Sequence, residues 1–479
     1  MIKYLLFLIL PLAARAVDYP ASTFGIRSDG VTLNTRSIQF AVDYIHDHGG
    51  GRLVFEVGRY LTGSIHLKSD VGLELKEGSV LLGSLNPFDY DKDGFTALLL
   101  ADSQRNISIT GRGMIDGRGR EVATAIVALV HGGIIRDPLT SDRPNEANRP
   151  MLIYFKHCHS VCLRSITLAN AASWVETYDQ CSGLRIDSIR VDSKAYWNND
   201  GIDIVDCSQV RVAGCQIDAA DDGICLKSHD PAAACANILI RDCTIRSSAS
   251  AIKFGTVSRG GFRHINILHN RVYDTYRSAL ALEAVDGAAI EDVLADSLDA
   301  VNTGNALFMR IGARSGAKQS RLTNVTIRHL SVRIAAGKAD SGYPYEGPVQ
   351  DLPRNISPIV LTGLPGAFLQ DIRLEDVSVT YPGGGNPDVA SRTPSDSIPE
   401  LAASYPEFSM FKELPAWGLY IRHARGVQVK NLRLACAAKD YRPAIVLDDV
   451  QGANWEGTMV KEPGKRPAFP SRIGTRYPE

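Results

Sequence analysis

Apolar and polar positions change rhythm once near the start of the chain and then settle into short alternating runs. Ile38, Ala41, Val42 and Ile45 recur at three- and four-residue spacing, which predicts one amphipathic helix with Thr35 as its N-cap and Gly49-Gly50-Gly51 at its end. After it, Leu53 to Val57, Ser64 to Leu67, Leu73 to Leu75 and Val80 to Leu82 read as strands punctuated by Gly and Asp turns. From about residue 100 a repeat sets in. Its β-type runs begin at Val161, Leu184, Val210, Ile238, Ile265 and Ile290, spaced 23 to 28 residues apart. Later members begin at Val325, Ile372 and Val427, after longer insertions. No helical pattern separates them, so the expected fold is all-β: a parallel β-helix with an N-terminal cap helix, one repeat making one coil.

The cysteines keep the same register. Cys158, Cys181, Cys207 and Cys235 each precede a repeat start by three residues, and Cys215 and Cys243 each follow one by five. Equivalent positions on successive coils stack about 4.8 Å apart, so a recurring Cys reads as a small inward-facing rung of mostly free thiols. Disulfides between neighbouring coils are the competing reading. No CxxC pair of zinc spacing is present.

Two insertions break the period, near residues 337–358 and 381–417. They carry Tyr343, Tyr345, Tyr405, Phe408, Phe411 and Trp417, and would build a binding face, cap the coil, or both. At the start, Lys3, the apolar run Leu5 to Leu12 and Ala14-Arg15-Ala16 have the form of a secretory signal peptide cleaved after Ala16. The expectation is a secreted or periplasmic protein whose residues 17–479 form a single domain. No later run reaches the roughly 18 apolar residues of a membrane span. With 52 Lys+Arg against 53 Asp+Glu, the chain does not look like a general polyanion binder, so no nucleic-acid partner is expected, and a monomer is.

The densest polar signal is Trp197-Asn198-Asn199-Asp200-Gly201, followed by Asp221-Asp222-Gly223. Asp200 and Asp221 lie 21 residues apart, close to one coil, which brings three carboxyls to one surface. Crowded carboxyls cannot all ionise together, and a protonated acid beside an ionised base is what glycoside hydrolysis uses. Calcium ligation and simple turn formation are the alternatives for these acids. Asp203 and Asp218 read as turn residues. Trp197 is either the wall of a sugar subsite or packing, and Trp174 stands about one coil earlier. His423 reads as structural.

These residues resemble the polygalacturonase family of pectin-degrading enzymes, glycoside hydrolase family 28. Asn198-Asn199-Asp200 is similar to the family's Asn-Thr-Asp motif with Asn for Thr, and Asp221-Asp222 to its Asp-Asp motif. Phe24 to Val31 and Gly49 to Gly63 resemble the N-terminal cap of pectin-lyase-like β-helices. The resemblance implies a right-handed pectin-lyase-like solenoid and an inverting hydrolase that needs no metal or other cofactor. Asp221 would be the general acid, and Asp200 and Asp222 would hold and activate water. The partner implied is a pectic polysaccharide or oligosaccharide.

Two family motifs are altered. Ala249-Ser250-Ala251 stands where Gly-His-Gly is usual, and Ala281-Leu282-Glu283 where Arg-Ile-Lys would grip a substrate carboxylate. Lys227, Lys253, Arg310 and Arg314 are the cations expected to compensate, with Asn199 and Trp197 as further substrate contacts. The losses point toward a branched or mixed pectin, and the long insertions toward exo action. A polysaccharide lyase and a non-catalytic glycan-binding β-helix are the rival functions on the same scaffold.

Overall fold

A typical coil contributes three strands, and each pairs in parallel with its counterpart one coil on. Ser182–Asp187, Arg190–Ser193 and Ile202–Val205, for example, pair with Ser208–Ala213, Gln216–Ala219 and Ile224–Ser228. The result, in a computed structural model, is a right-handed parallel β-helix. It describes residues 17–139, 142–314, 316, 319–339, 356–390 and 398–464. Residues 1–16, read above as a signal peptide, and most of the insertion at 337–358 lie outside the described residues.

The repeat starts fall in one column. Leu184 pairs with Val210, Val210 with Ile238 and Ile238 with Ile265. The column then passes to Val293, Val325 and Ile372. Ile290 is therefore three residues early as a start; it pairs with Phe262 and Leu322 instead. Both Ile290 and Val293 are buried, so apolar character alone does not separate them. The stacking also begins earlier than residue 100: Leu53 pairs with Leu73, Leu73 with Ile109 and Ile109 with Leu163, in the inward column two residues along the strand from the repeat starts. Inward residues of successive coils thus stack apolar on apolar, each contributing about 1.5–3 kcal/mol by leaving water.

Helix α1 runs Thr35–Asp47 and buries Ile38, Ala41, Val42 and Ile45 over the open end of the coil. Its N-cap is Asn34; Thr35 is the first helical residue, and its hydroxyl accepts the Gly63 amide at 2.8 Å. Gly49 and Gly50 adopt φ of +91° and +90°, which ends the helix as expected. A second helix, α2 (Gly119–His131), interrupts the coil and was not anticipated.

All nine cysteines are free. The amide of Cys158 donates to the sulfur of Cys181 at 3.4 Å, and that of Cys181 to Cys207 at 3.3 Å. The thiol of Cys207 donates to the Tyr178 carbonyl at 3.2 Å. The ladder is made of thiol hydrogen bonds rather than disulfides.

One inward rung is not apolar. Glu176 lies between Ile153 and Ile202, is fully buried, and accepts the Tyr178 hydroxyl at 2.6 Å. Burial raises its pKa to about 8.

The second insertion is packed, not loose. Its described part places Ile398, Phe408, Phe411, Leu414 and Ala416 against Ala281, Phe308, Val360, Tyr420 and Val446. Those five belong to the outer surface of the third strand face, on the coils that follow the clustered acids.

Candidate active site

Asp200, Asp221 and Asp222 sit in the turns entering third-face strands of two successive coils. The Gly201 amide donates to the Asp222 carbonyl at 2.8 Å, and the Gly223 amide to that of Ser250 at 2.9 Å, so these turns stand in file. A Cβ on Gly201 would come within 2.5 Å of the Gly223 carbonyl oxygen, and one on Gly223 within 2.6 Å of that of Ala251. Glycine after the acid is what allows the turns to stack this closely.

Asn199 shapes the first turn from inside. Its Oδ1 accepts the amides of Ala195 and Tyr196 at 2.9 and 3.2 Å, and its Nδ2 donates to the carbonyls of Ala171 and Ser173 at 3.0 and 2.7 Å. It is fully buried, so it is a turn-forming residue and not the substrate contact the motif suggested. Asp203 and Asp218 are also corrected. Both lie in strands rather than turns, Asp203 fully buried against Lys227 and Asp218 paired with Lys194 at 2.6 Å.

Two lysines lie beneath the acids. Lys227 donates to Asp200 at 2.8 Å and to Asp203. Lys253, one coil further, donates to Asp222 at 3.0 Å and faces Glu283 at 4.0 Å. Both are buried, and the surrounding carboxylates raise both pKa values well above the ordinary lysine range against the opposing effect of burial. Arg277 pairs with Glu407 at 2.8 Å and acts on Asp221 and Asp222.

The three acids are driven apart. Burial, then the charges of Asp200 and Asp222, raise Asp221 to about 7. For Asp222 burial pushes upward, but Lys253, Arg277 and Lys227 outweigh it and hold the carboxyl below its ordinary value. Burial raises Asp200, with Lys227 opposing and Asp222 adding to the rise. Asp200 and Asp222 are each only 4% exposed, whereas Asp221 keeps part of its surface open. At neutral pH the site thus offers a reachable protonated carboxyl beside a firmly ionised one.

The other expected contacts separate. Lys227 and Lys253 converge on the site but are engaged by carboxylates, so they hold the acids rather than lie open to a ligand. Arg310 is 1% exposed and donates to the carbonyls of Gly363 and Glu400, with its guanidinium 5.2 Å over the Phe411 ring. It anchors the second insertion and is not a substrate cation. Arg314 binds Asp286 in two contacts of 3.0 and 2.7 Å. Trp197 is half-buried with Arg143 5.0 Å over its ring, while Trp174 carries the Lys227 ammonium 4.3 Å over its ring. Trp174 is therefore the indole beside the acid cluster. His423 is structural, bonded to Glu400 and Asp449 at 3.0 and 2.7 Å.

Arg277 and Glu407 escaped sequence reasoning, while Glu283 and Tyr405 stood out there only as a departure from the family motif and as an aromatic of the second insertion. The hydroxyl of Tyr405 lies 3.3 Å from Lys253 Nζ, and its ring is 51% exposed. Glu283 was legible as an acid where the family motif places a cation; Tyr405 and Glu407 arrive from the insertion, with no periodic signal. Asp200, Asp203 and Cys225 place one ligand atom each within 4.8 Å of one another. Lys227 already bridges the two carboxylates, so a divalent ion would have to displace a buried ammonium, and a thiol suits a hard cation poorly.

A parallel β-helix presenting a carboxyl cluster of this kind is similar to the glycosyl hydrolases of the right-handed β-helix type. Residues 54–275, a little under half of the chain, match the model of glycosyl hydrolases family 28, in agreement with the resemblance carried by Asn198-Asn199-Asp200 and Asp221-Asp222. A protein of Vitis vinifera named as a probable polygalacturonase is 25% identical over 325 residues, 64% of this chain and 59% of that protein, so the match spans under two thirds of the relative. Two solved structures share the fold. The exopolygalacturonase of Thermotoga maritima is 22% identical with a TM-score of 0.60, over 76% of this chain and 87% of that one. The family 28 exopolygalacturonase of Yersinia enterocolitica is 18% identical with a TM-score of 0.65, over 93% and 79%.

Proposed function

We propose that this protein is an exported hydrolase that cleaves O-glycosidic bonds in galacturonate-containing pectic chains, with inversion and from chain ends. The observation that carries the reading is the split between Asp221, raised to about 7 and partly open, and Asp222, held ionised. Asp221 protonates the glycosidic oxygen as the bond breaks. Asp222, with Asp200, orients a water and removes its proton as it attacks the opposite face of the sugar. Both proton transfers are carried by carboxyls of this chain.

Exo action is supported by the packed segment 398–417, which covers the third face on the coils after the acids and would close one end of the groove. The named activities of the Thermotoga and Yersinia relatives agree with it. Export is supported by Lys3, Leu5 to Leu12 and Ala14-Arg15-Ala16. A lyase would need a lysine or arginine base, and the carboxylates around Lys227 and Lys253 hold both protonated.

The test is hydrolysis of pectic oligosaccharides by the parent and by Asp221→Asn, with products sized and the first-formed anomer read by NMR. We expect a loss of about 10²–10⁴-fold in the variant, inverted product and single residues released early. Near-parental rates in the variant would dismiss Asp221 as the acid. An unsaturated product absorbing in the near ultraviolet would establish a lyase.

A further inference from the structure

Two guanidinium groups converge on one neutral oxygen beside the acids. Oδ1 of Asn198, two residues before Asp200, accepts Nη2 of Arg149 at 2.7 Å and Nε of Arg143 at 3.3 Å. Arg149 is fully buried, and its other donors go to the carbonyls of Pro144, Ala172 and Trp197 at 2.9, 2.8 and 2.6 Å. It is a structural clamp. Arg143 is only half-buried, and its guanidinium lies 5.0 Å over the Trp197 ring. The bond to Asn198 is the one hydrogen bond its side chain makes among the described residues. Its two Nη groups, the fork that matches a carboxylate, therefore have no protein acceptor there. No carboxylate among the described residues hydrogen-bonds either arginine; Glu146 and Asp137 act on Arg149 through space alone.

The segment that carries Arg143 is fixed on both sides of it. The Asp142 carbonyl accepts the Tyr196 hydroxyl, and the Pro144 carbonyl accepts Nε of Arg149. Tyr196, Trp197 and Asn198 belong to the turn that presents Asp200, so cation and acid are tied to one turn. Two residues of chain span at most about 7 Å, which keeps Asn198 close to the acids. Arg149 also reaches Ala172 in the preceding coil, so Arg143 stands on the early-coil side, whereas segment 398–417 covers the later coils. The Trp197 ring supports the guanidinium through its face, which consumes none of the N–H donors.

We infer that Arg143 is a specificity-determining residue that takes the carboxylate of a uronate one or two sugars from the scissile bond, on the early-coil side. This rests on the pectic reading above and deepens it. Ala281-Leu282-Glu283 stands where Arg-Ile-Lys would act, and Lys227, Lys253, Arg310 and Arg314 are each committed to protein partners. Arg143 supplies a grip from another element, the segment leading into the third-face strand Met151–Lys156. A carboxylate there exchanges its hydration for two charge-assisted hydrogen bonds, and a methyl ester cannot. Trp197 is a positioning residue, acting through Arg143.

The test is calorimetric titration of the full-length protein carrying Asp221→Asn, which suppresses turnover, with a galacturonate tetramer and with its methyl ester. The same titrations would be made with Arg143→Gln or Arg143→Lys added. We expect Arg143→Gln to weaken tetramer binding about 10- to 100-fold and to flatten its dependence on salt. Binding of the ester should change less than about threefold, and Arg143→Lys, with the charge but not the fork, should recover part of the loss. Unchanged tetramer binding, an equal loss for tetramer and ester, or a loss that leaves the salt dependence as it was would overturn the inference and leave the pectic hydrolase standing. The salt dependence decides even where the ester binds too weakly to measure. No tetramer binding, together with no hydrolysis of pectic chains by the parent, would overturn both.

Discussion

The ammonium of Lys253 lies 3.0 Å from Oδ2 of Asp222, and the acid it serves belongs to the preceding coil. Of the positive charges that keep Asp222 ionised, Lys253 acts most strongly, ahead of Arg277 and Lys227. Lys253→Met should therefore raise the pKa of the base. The acidic limb of the kcat/KM profile would move to higher pH, and the rate at its optimum would fall by about 10²–10⁴-fold. A pH profile of parent and variant checks this; an unmoved acidic limb would show that Asp222 is not the titrating base.

The parent profile should itself be a bell. Asp221 must carry its proton to act as an acid, and its pKa is raised to about 7, so activity declines as pH rises through about 7. Asp222 must be ionised, and its pKa is held below the ordinary value, so activity persists well into the acid range before falling. Initial rates across pH 3–9 at low substrate (about 10-fold below KM, so that the free enzyme is read) decide it.

Stability should carry a separate pH signature from Glu176. Its folded pKa, about 8, lies above the ordinary 4.5, so the unfolded chain releases this proton first. The contribution of Glu176 to stability is then fully present below about 4.5 and is lost as pH rises toward 8. Glu176→Gln can still accept the Tyr178 hydroxyl and cannot ionise. Thermal unfolding of the two proteins should coincide near pH 4 and diverge in favour of the variant near pH 8.

The thiols should be inert. Eight of the nine cysteines are buried and Cys162 is half-buried. An aromatic disulfide reagent should modify at most Cys162 in the native protein and all nine in denaturant. Reductant should leave the unfolding temperature unchanged, because no disulfide is there to break.

The fold was legible because a coil repeats its own inward pattern. Leu184, Val210, Ile238 and Ile265 are consecutive members of one column, and a spacing of 23 to 28 residues reads directly from the chain. Asp200, Asp221 and Asp222 were legible for the same reason, since one coil of separation implies adjacency. The counter-charges were not. Asp203 reads as a turn residue until Lys227, 24 residues on, is seen to meet it. Arg310 reads as a surface cation until the insertion folds over it and offers the Glu400 carbonyl, 90 residues away. Such contacts depend on which way an outward side chain leans and on what covers it, and neither follows from periodicity.

The acids and their lysine partners come from three consecutive windings, Asp200 from the first, Asp221, Asp222 and Lys227 from the second and Lys253 from the third, and none supplies enough alone. Such a centre cannot be transplanted as a loop between proteins. It must be inherited as an intact block, while windings at either extremity are free to multiply or disappear over evolutionary time, because each touches only its immediate neighbours.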